Sequence, residues 1–169
     1  MNGAVLVAGG AGYVGSHAVA GLVAAGRRVV VLDDLSTGHR DALRGTPLVV
    51  GSVDDADLVT RTCRAHGVAA VLHFAGRISV AESVRDPALY ERANVTATGV
   101  FAAAVARAGV RRFVFSSSAA VYGNPERVPI PEDHPQRPTS PYGASKRAAE
   151  LMRVMPFKAP VDMSRFLLS

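Results

Sequence analysis

The chain has 169 residues, nearly half of them apolar, which favours one domain with a single buried core over a disordered chain. No apolar run reaches the roughly 18 residues needed to span a bilayer, and no basic-then-apolar leader opens the sequence, so the expectation is a cytoplasmic protein without a membrane partner. The net charge of +5 is almost wholly arginine, since Lys146 and Lys158 are the only lysines; it is spread along the chain with no basic run and no interleaved aromatics, which argues against a nucleic-acid partner.

Strand and helix patterns alternate along the chain. Ala4 to Val7 is a short, wholly apolar run of the kind expected in a buried parallel strand, and it ends in glycines. A helix is predicted from about Tyr13 to Ala25, with Val14, Ala18, Leu22 and Ala25 at helical spacing and Gly26 to close it. Val29–Leu32 reads as a second strand ending in Asp33-Asp34, and Leu48–Val50 as a third. Asp54 to Ala65 reads as a helix with acidic residues at its positive end. A fourth strand over Ala70–Phe74, one long helix over Pro87–Ala108 closed by Gly109, and a fifth strand over Arg112–Ser116 follow. Pro125 to Pro141 is proline-rich and reads as loop, and Ser145 to Val154 as a last helix. This alternation predicts an α/β fold, a Rossmann-type doubly wound parallel sheet with helices on both faces.

Gly9, Gly12 and Gly15 recur at three-residue intervals between the first strand and the first helix. Glycine there permits a tight turn and lets backbone N–H groups approach a pyrophosphate at the helix N-terminus. Asp33, at the end of the second strand, stands where a dinucleotide ribose would lie; a carboxylate there accepts from ribose hydroxyls and repels a 2′-phosphate, favouring NAD over NADP. Asp34, Ser36 and Thr37 follow and are candidates to line the adenosine, with a plain solvated turn as the alternative.

Tyr142 and Lys146 stand four residues apart, on one face if the segment is helical. A phenol with an ordinary pKa of about 10 is a poor base near neutrality, and an adjacent ammonium stabilises its phenolate. Ser116, Ser117 and Ser118 follow the fifth strand, at the end of the sheet where open α/β folds bind ligands; spacing alone does not choose among them. Cys63, the only cysteine, reads as a packing thiol. His17, His39, His66, His73 and His134 show no metal-ligand spacing and read as structural or surface residues.

The segments Gly9–His17, Asp33–Gly38, His73–Gly76, Ser116–Gly123 and Ser140–Lys146 together resemble the UDP-glucose 4-epimerases, within the extended short-chain dehydrogenase/reductases, from residue 4 to about 153. The resemblance implies that Tyr142 is the general base on the sugar 4-hydroxyl, that Lys146 tunes it and holds the cofactor ribose, and that Ser118 assists proton transfer. It implies that Tyr13, Val14, Asp33, Phe74, Ala75, Gly76 and Asn94 contact NAD, and that the substrate is a UDP-sugar passing through a 4-keto intermediate; a homodimer is left open. Sugar-nucleotide 4,6-dehydratases carry an Asp-Glu pair where this chain has Ala119-Ala120, which argues against elimination of water. Three positions depart from the pattern: Ala8 replaces a usual threonine, Ser52 replaces an aspartate that binds adenine, and Ile78 stands where some members have lysine.

The likeness fades after Arg153. Residues 1–153 read as an NAD-binding Rossmann domain and 154–169 as a divergent or truncated tail, in which Met163–Ser169 is either a remnant sixth strand or unrelated sequence. Family members continue for about as long again, with a smaller C-terminal part that grips the UDP-sugar, so the expectation is a truncated epimerase with little or no activity. The alternatives are another sugar-nucleotide epimerase or decarboxylase of the superfamily, a non-catalytic NAD-binding module, or a defective product that aggregates through uncovered apolar surface.

Overall fold

The computed structural model describes residues 3–152. Five strands, β1 (Ala4–Ala8), β2 (Val29–Asp33), β3 (Leu48–Val50), β4 (Val68–His73) and β5 (Phe113–Phe115), form one parallel sheet in the order β3-β2-β1-β4-β5. Side chains alternate between its faces as the two-residue period of a strand requires. Leu6, Ala8, Val30 and Leu32 point into one cluster with Val59, Cys63, Phe101 and Val105. Val5, Val7, Val29 and Val31 point into the other with Ala11, Val19 and Leu43. Because both faces are covered, β1 and β2 are buried along their whole lengths, which explains their unbroken apolar sequence.

Helix α1 (Tyr13–Ala24) covers the second cluster's face, while α2 (Ala56–Ala65) and α5 (Ala97–Arg107) pack against each other on the first. The chain steps outward from β1 to β2 and β3, then returns across the sheet to β4 and β5. Right-handed crossovers in opposite directions place their helices on opposite faces. The order therefore reverses between β1 and β4, the switch point at which open α/β sheets carry their ligand crevice. The doubly wound parallel architecture agrees with the sequence reading.

Several boundaries differ. The strand expected over Ala70–Phe74 runs from Val68 to His73, and the helix expected from Asp54 begins at Ala56, with Asp55 as N-cap accepting from Leu58 N–H at 2.9 Å. The single helix expected over Pro87–Ala108 is α4 (Pro87–Tyr90), a π-helical segment (Glu91–Thr96) and α5 in sequence. The short helix α3 (Val80–Arg85) and 3-10 turns at Arg40–Leu43 and Ala119–Tyr122 lie in stretches that carry too few residues for a period to show. The last helix, α6 (Pro141–Leu151), starts four residues before the Ser145 expected: Ser140 accepts from Gly143 N–H at 3.1 Å and Pro141 occupies the first helical position. Its expected end at Val154, and Met163–Ser169, read as either a remnant sixth strand or unrelated sequence, lie outside the described residues.

Candidate active site

The crevice at the β1/β4 reversal is built first from backbone. Gly9 has φ of +75°, and a Cβ there would run into the backbone of Ala75 in the loop after β4. A Cβ on Gly15 would collide with the carbonyl of Gly9, so these two glycines let α1 and the two loops close on one another. Gly12 differs: a Cβ there would lie 3.5 Å from Gly9 O, an ordinary contact, so the protein's own packing does not demand glycine. Gly12 is the N-cap of α1 and offers no side-chain cap, and the first turn holds no acidic residue. The amides of that turn are thus available to an anion, and the helix dipole favours one. Tyr13 and Val14 at this end are largely exposed.

Asp33 closes the other side of the glycine loop. Its carboxylate is nearly buried and accepts from the N–H groups of Ala11 at 2.8 Å and Leu35 at 2.9 Å, tying the end of β2 to the loop after β1. Each carboxylate oxygen retains a further lone pair for a ligand hydroxyl. Asp34 and Ser36 are exposed and occupied with each other: Asp34 Oδ1 accepts from Ser36 N–H at 2.9 Å and from its hydroxyl at 2.7 Å. Thr37 is exposed beside them.

Across the crevice, side chains do the building. Phe74 and Ala75 donate their N–H groups to Ala8 O, and they pack against opposite faces of the sheet. Asn94, buried in the π-helical segment, accepts from Arg77 N–H at 2.8 Å and donates to Arg77 O and to Ser145 Oγ, each at 3.0 Å. Both amide hydrogens are thereby used, and Asn94 braces the loop after β4 against α6. Gly76 passes beneath it with φ of +147°, where a Cβ would sit 2.7 Å from Asn94 Oδ1 and 3.8 Å from Lys146 Nζ.

Tyr142 and Lys146 lie one turn apart on α6. The ring of Tyr142 meets that of Tyr90 edge to face at 6.2 Å, and Tyr90 is anchored by donating its hydroxyl to Glu82 Oε2 at 2.8 Å. Lys146 is 4 % exposed; it donates to Ser116 O at 3.1 Å and lies 4.8 Å from the Phe115 ring centroid. Burial pulls its ammonium down from 10.5 to about 8, against a smaller opposing pull from Glu150. The three serines after β5 take distinct places. Ser116 lends its carbonyl to Lys146, Ser117 keeps a buried hydroxyl with no hydrogen-bond partner among the described residues, and Ser118 caps the Ala119–Tyr122 turn by accepting from Ala120 N–H at 3.2 Å. That turn presses on α6 where Gly143 leaves no room for a side chain under Ala120 O.

Sequence reasoning missed the Tyr90–Glu82 anchor and the depth of His73. His73 is fully buried among Phe101, Phe113 and Phe115, with Nε2 bonded to Thr98 Oγ1 at 3.0 Å; desolvation, then the nearby Lys146 charge, push its pKa down to about 3. A histidine ending an apolar strand carries no periodic signal of this. Cys63 is buried as a packing thiol, and burial pushes its pKa up to about 11. No group of His, Cys, Asp or Glu among the described residues has a metal-binding arrangement, and no described helix is long and apolar enough to cross a membrane.

The sequence model of the NAD dependent epimerase/dehydratase family matches residues 5–154. The chain belongs to that family. Among members, UDP-glucose 4-epimerase of Azospirillum brasilense is 52% identical over 149 residues, 88% of this chain but 43% of the relative. The crystal structure of UDP-glucose 4-epimerase from Brucella ovis in complex with NAD matches with a TM-score of 0.85 at 43% identity, over 88% of this chain and 46% of that one. The Thermotoga maritima enzyme with UDP-glucose matches with a TM-score of 0.81 at 38% identity, over 86% of this chain and 48% of that one. The chain thus spans a little under half the length of these family members.

Proposed function

We propose that this chain binds NAD in the β1/β4 crevice and is the cofactor-binding portion of a UDP-glucose 4-epimerase. The observation that carries the reading is the convergence on one crevice of an uncapped helix N-terminus, a carboxylate at the end of β2, and the Tyr142–Lys146 face of α6. Gly9, Gly12 and Gly15, with the amides of Tyr13 and Val14, would receive the pyrophosphate. Asp33 would accept from the adenosine ribose, with Asp34, Ser36 and Thr37 along the adenosine. Phe74, Ala75 and Gly76 would wall the nicotinamide end, and Asn94 would hold that wall in place. Gly12 supports this assignment, since no contact among the described residues requires glycine there.

Bound NAD would supply the hydride acceptor and donor. Tyr142 would take the proton from the sugar 4-hydroxyl as the 4-keto sugar forms, and return it afterwards. Lys146 would donate to the cofactor ribose and place positive charge beside the phenol, favouring its ionised form. Ser118 would relay or share the proton: its oxygen accepts from Ala120, which leaves its own hydrogen free to donate. The chain covers under half the length of these relatives, and the resemblance implies that a further C-terminal part grips the UDP-sugar; without such remote binding groups, orientation of the sugar over the cofactor would suffer.

The test is thermal unfolding of the purified chain with and without NAD. At a hundredfold excess over Kd, NAD should stabilise the chain by about 2.7 kcal/mol, raising Tm by several degrees. A Tm indifferent to NAD overturns the cofactor site. A coupled assay with UDP-galactose should find little turnover, and turnover near that of a full-length epimerase would overturn the reading of this chain as the cofactor portion alone.

A further inference from the structure

At the opposite end of the sheet from the glycine loop, where β1 starts at Ala4 and β2 at Val29, the surface holds a depression of about 780 Å³. Four guanidinium groups line it: Arg27 and Arg28 from the turn after α1, Arg44 from the turn before β3, and Arg64 from the last turn of α2. The three segments that carry them are separate in sequence and come together because every strand of a parallel sheet begins at the same end. No carboxylate of the described residues shares the lining. Among the described residues, none of the four has an acidic group within ion-pair distance.

A plainer account is that cations gather here to answer the negative ends of α1 and α2. It covers two of the four: Arg64 lies in the last turn of α2, and Arg28 donates to His66 O at 3.0 Å, at the same C-terminus. Two helix ends together carry about one negative charge, against four guanidiniums. The excess positive charge faces a concave site that is open to solvent. Guanidinium forks match phosphate oxygens, and several forks around one depression suit several linked phosphates.

We propose that this depression is a second anion site, for a chain of two or more phosphates, separate from the cofactor crevice. The phosphate source is either an inorganic polyphosphate or a nucleoside polyphosphate.

The test is titration of the 169-residue chain with tripolyphosphate, and separately with ATP, at low salt, read by calorimetry. One saturable site is expected, with NAD present in excess. Replacing Arg44→Ala and Arg64→Ala together should weaken it about twentyfold, taking each exposed charge pair at up to about fivefold. The NAD-induced rise in Tm should not change. A control with Arg85→Ala and Arg92→Ala, exposed arginines elsewhere, removes the same charge and should leave affinity within about twofold. Equal affinity for the two ligands assigns recognition to the phosphates alone, and tighter ATP binding adds the nucleoside. Equal weakening in both double variants, displacement of tripolyphosphate by NAD, or the lack of a saturable site would each overturn the proposal.

Discussion

The unit β1–α1–β2 and the unit β4–β5–α6 face each other across one crevice, and they are made of different materials. The first is a backbone device. All ten of its strand residues are buried, its loop works through glycines and N–H groups, and one side chain, Asp33, ties it together. The second is a side-chain device. Its outer strand β5 is only half-buried, and its working parts are polar groups carried into the interior: Lys146, His73, Asn94 and Ser145. A backbone device is sensitive to added volume. A device of buried ionisable groups is sensitive to pH, because each must be held in the form its surroundings tolerate.

The largest effect expected is at Gly9. Gly9→Val would force a branched side chain into Ala75 at a positive φ, and should cost at least about 4 kcal/mol and remove the response to NAD. Gly12→Ala sharpens the point. Its Cβ has room, so stability should stay within about 1 kcal/mol of the parent while the NAD-induced rise in Tm falls. If Gly12→Ala answers NAD as the parent does, the backbone device does not include Gly12.

The second unit should reveal itself by pH. His73 has its folded pKa lowered from 6.5 to about 3, so the unfolded chain binds the extra proton and stability is lost as pH falls below 6.5. The loss attributable to this ring between pH 6.5 and 4 is about 3 kcal/mol. His73→Leu should flatten the stability profile over that range by a comparable amount, and an unchanged slope would locate the acid sensitivity elsewhere.

Lys146 acts at the other end of the scale. Its folded pKa is lowered from 10.5 to about 8, so the cost of burying its charge is present in full below pH 8 and is relieved between 8 and 10.5. Relative to Lys146→Met, the parent should gain on the order of 2 kcal/mol from pH 7 to pH 10. Paired thermal melts of the apo chains measure this directly; a constant difference between them across that range would count against burial of the ammonium.

The smallest effect is at Ser118. Ser118→Ala removes a cap on a short turn and should cost about 1 kcal/mol. If it acts on a proton, the same change should lower kcat in a full-length relative more than it raises KM.

The first unit and the frame can be read from the chain alone. Apolar runs, turn glycines and an aspartate at a strand end announce themselves locally, because a buried parallel strand and a tight phosphate-type turn each restrict neighbouring residues. The start of α6 was also there to be read, in Ser140-Pro141, since caps are local. The rest depends on how folding joins segments distant in the chain. Folding makes Asn94 a brace between Arg77 and Ser145, and sets Lys146 on the carbonyl of Ser116. It also leaves Asp34 and Ser36 bonded to each other in an exposed turn, and brings four arginines that look scattered in sequence to one end of the sheet. Burial and pairing are properties of what the fold places alongside a residue, and no spacing along the chain records them.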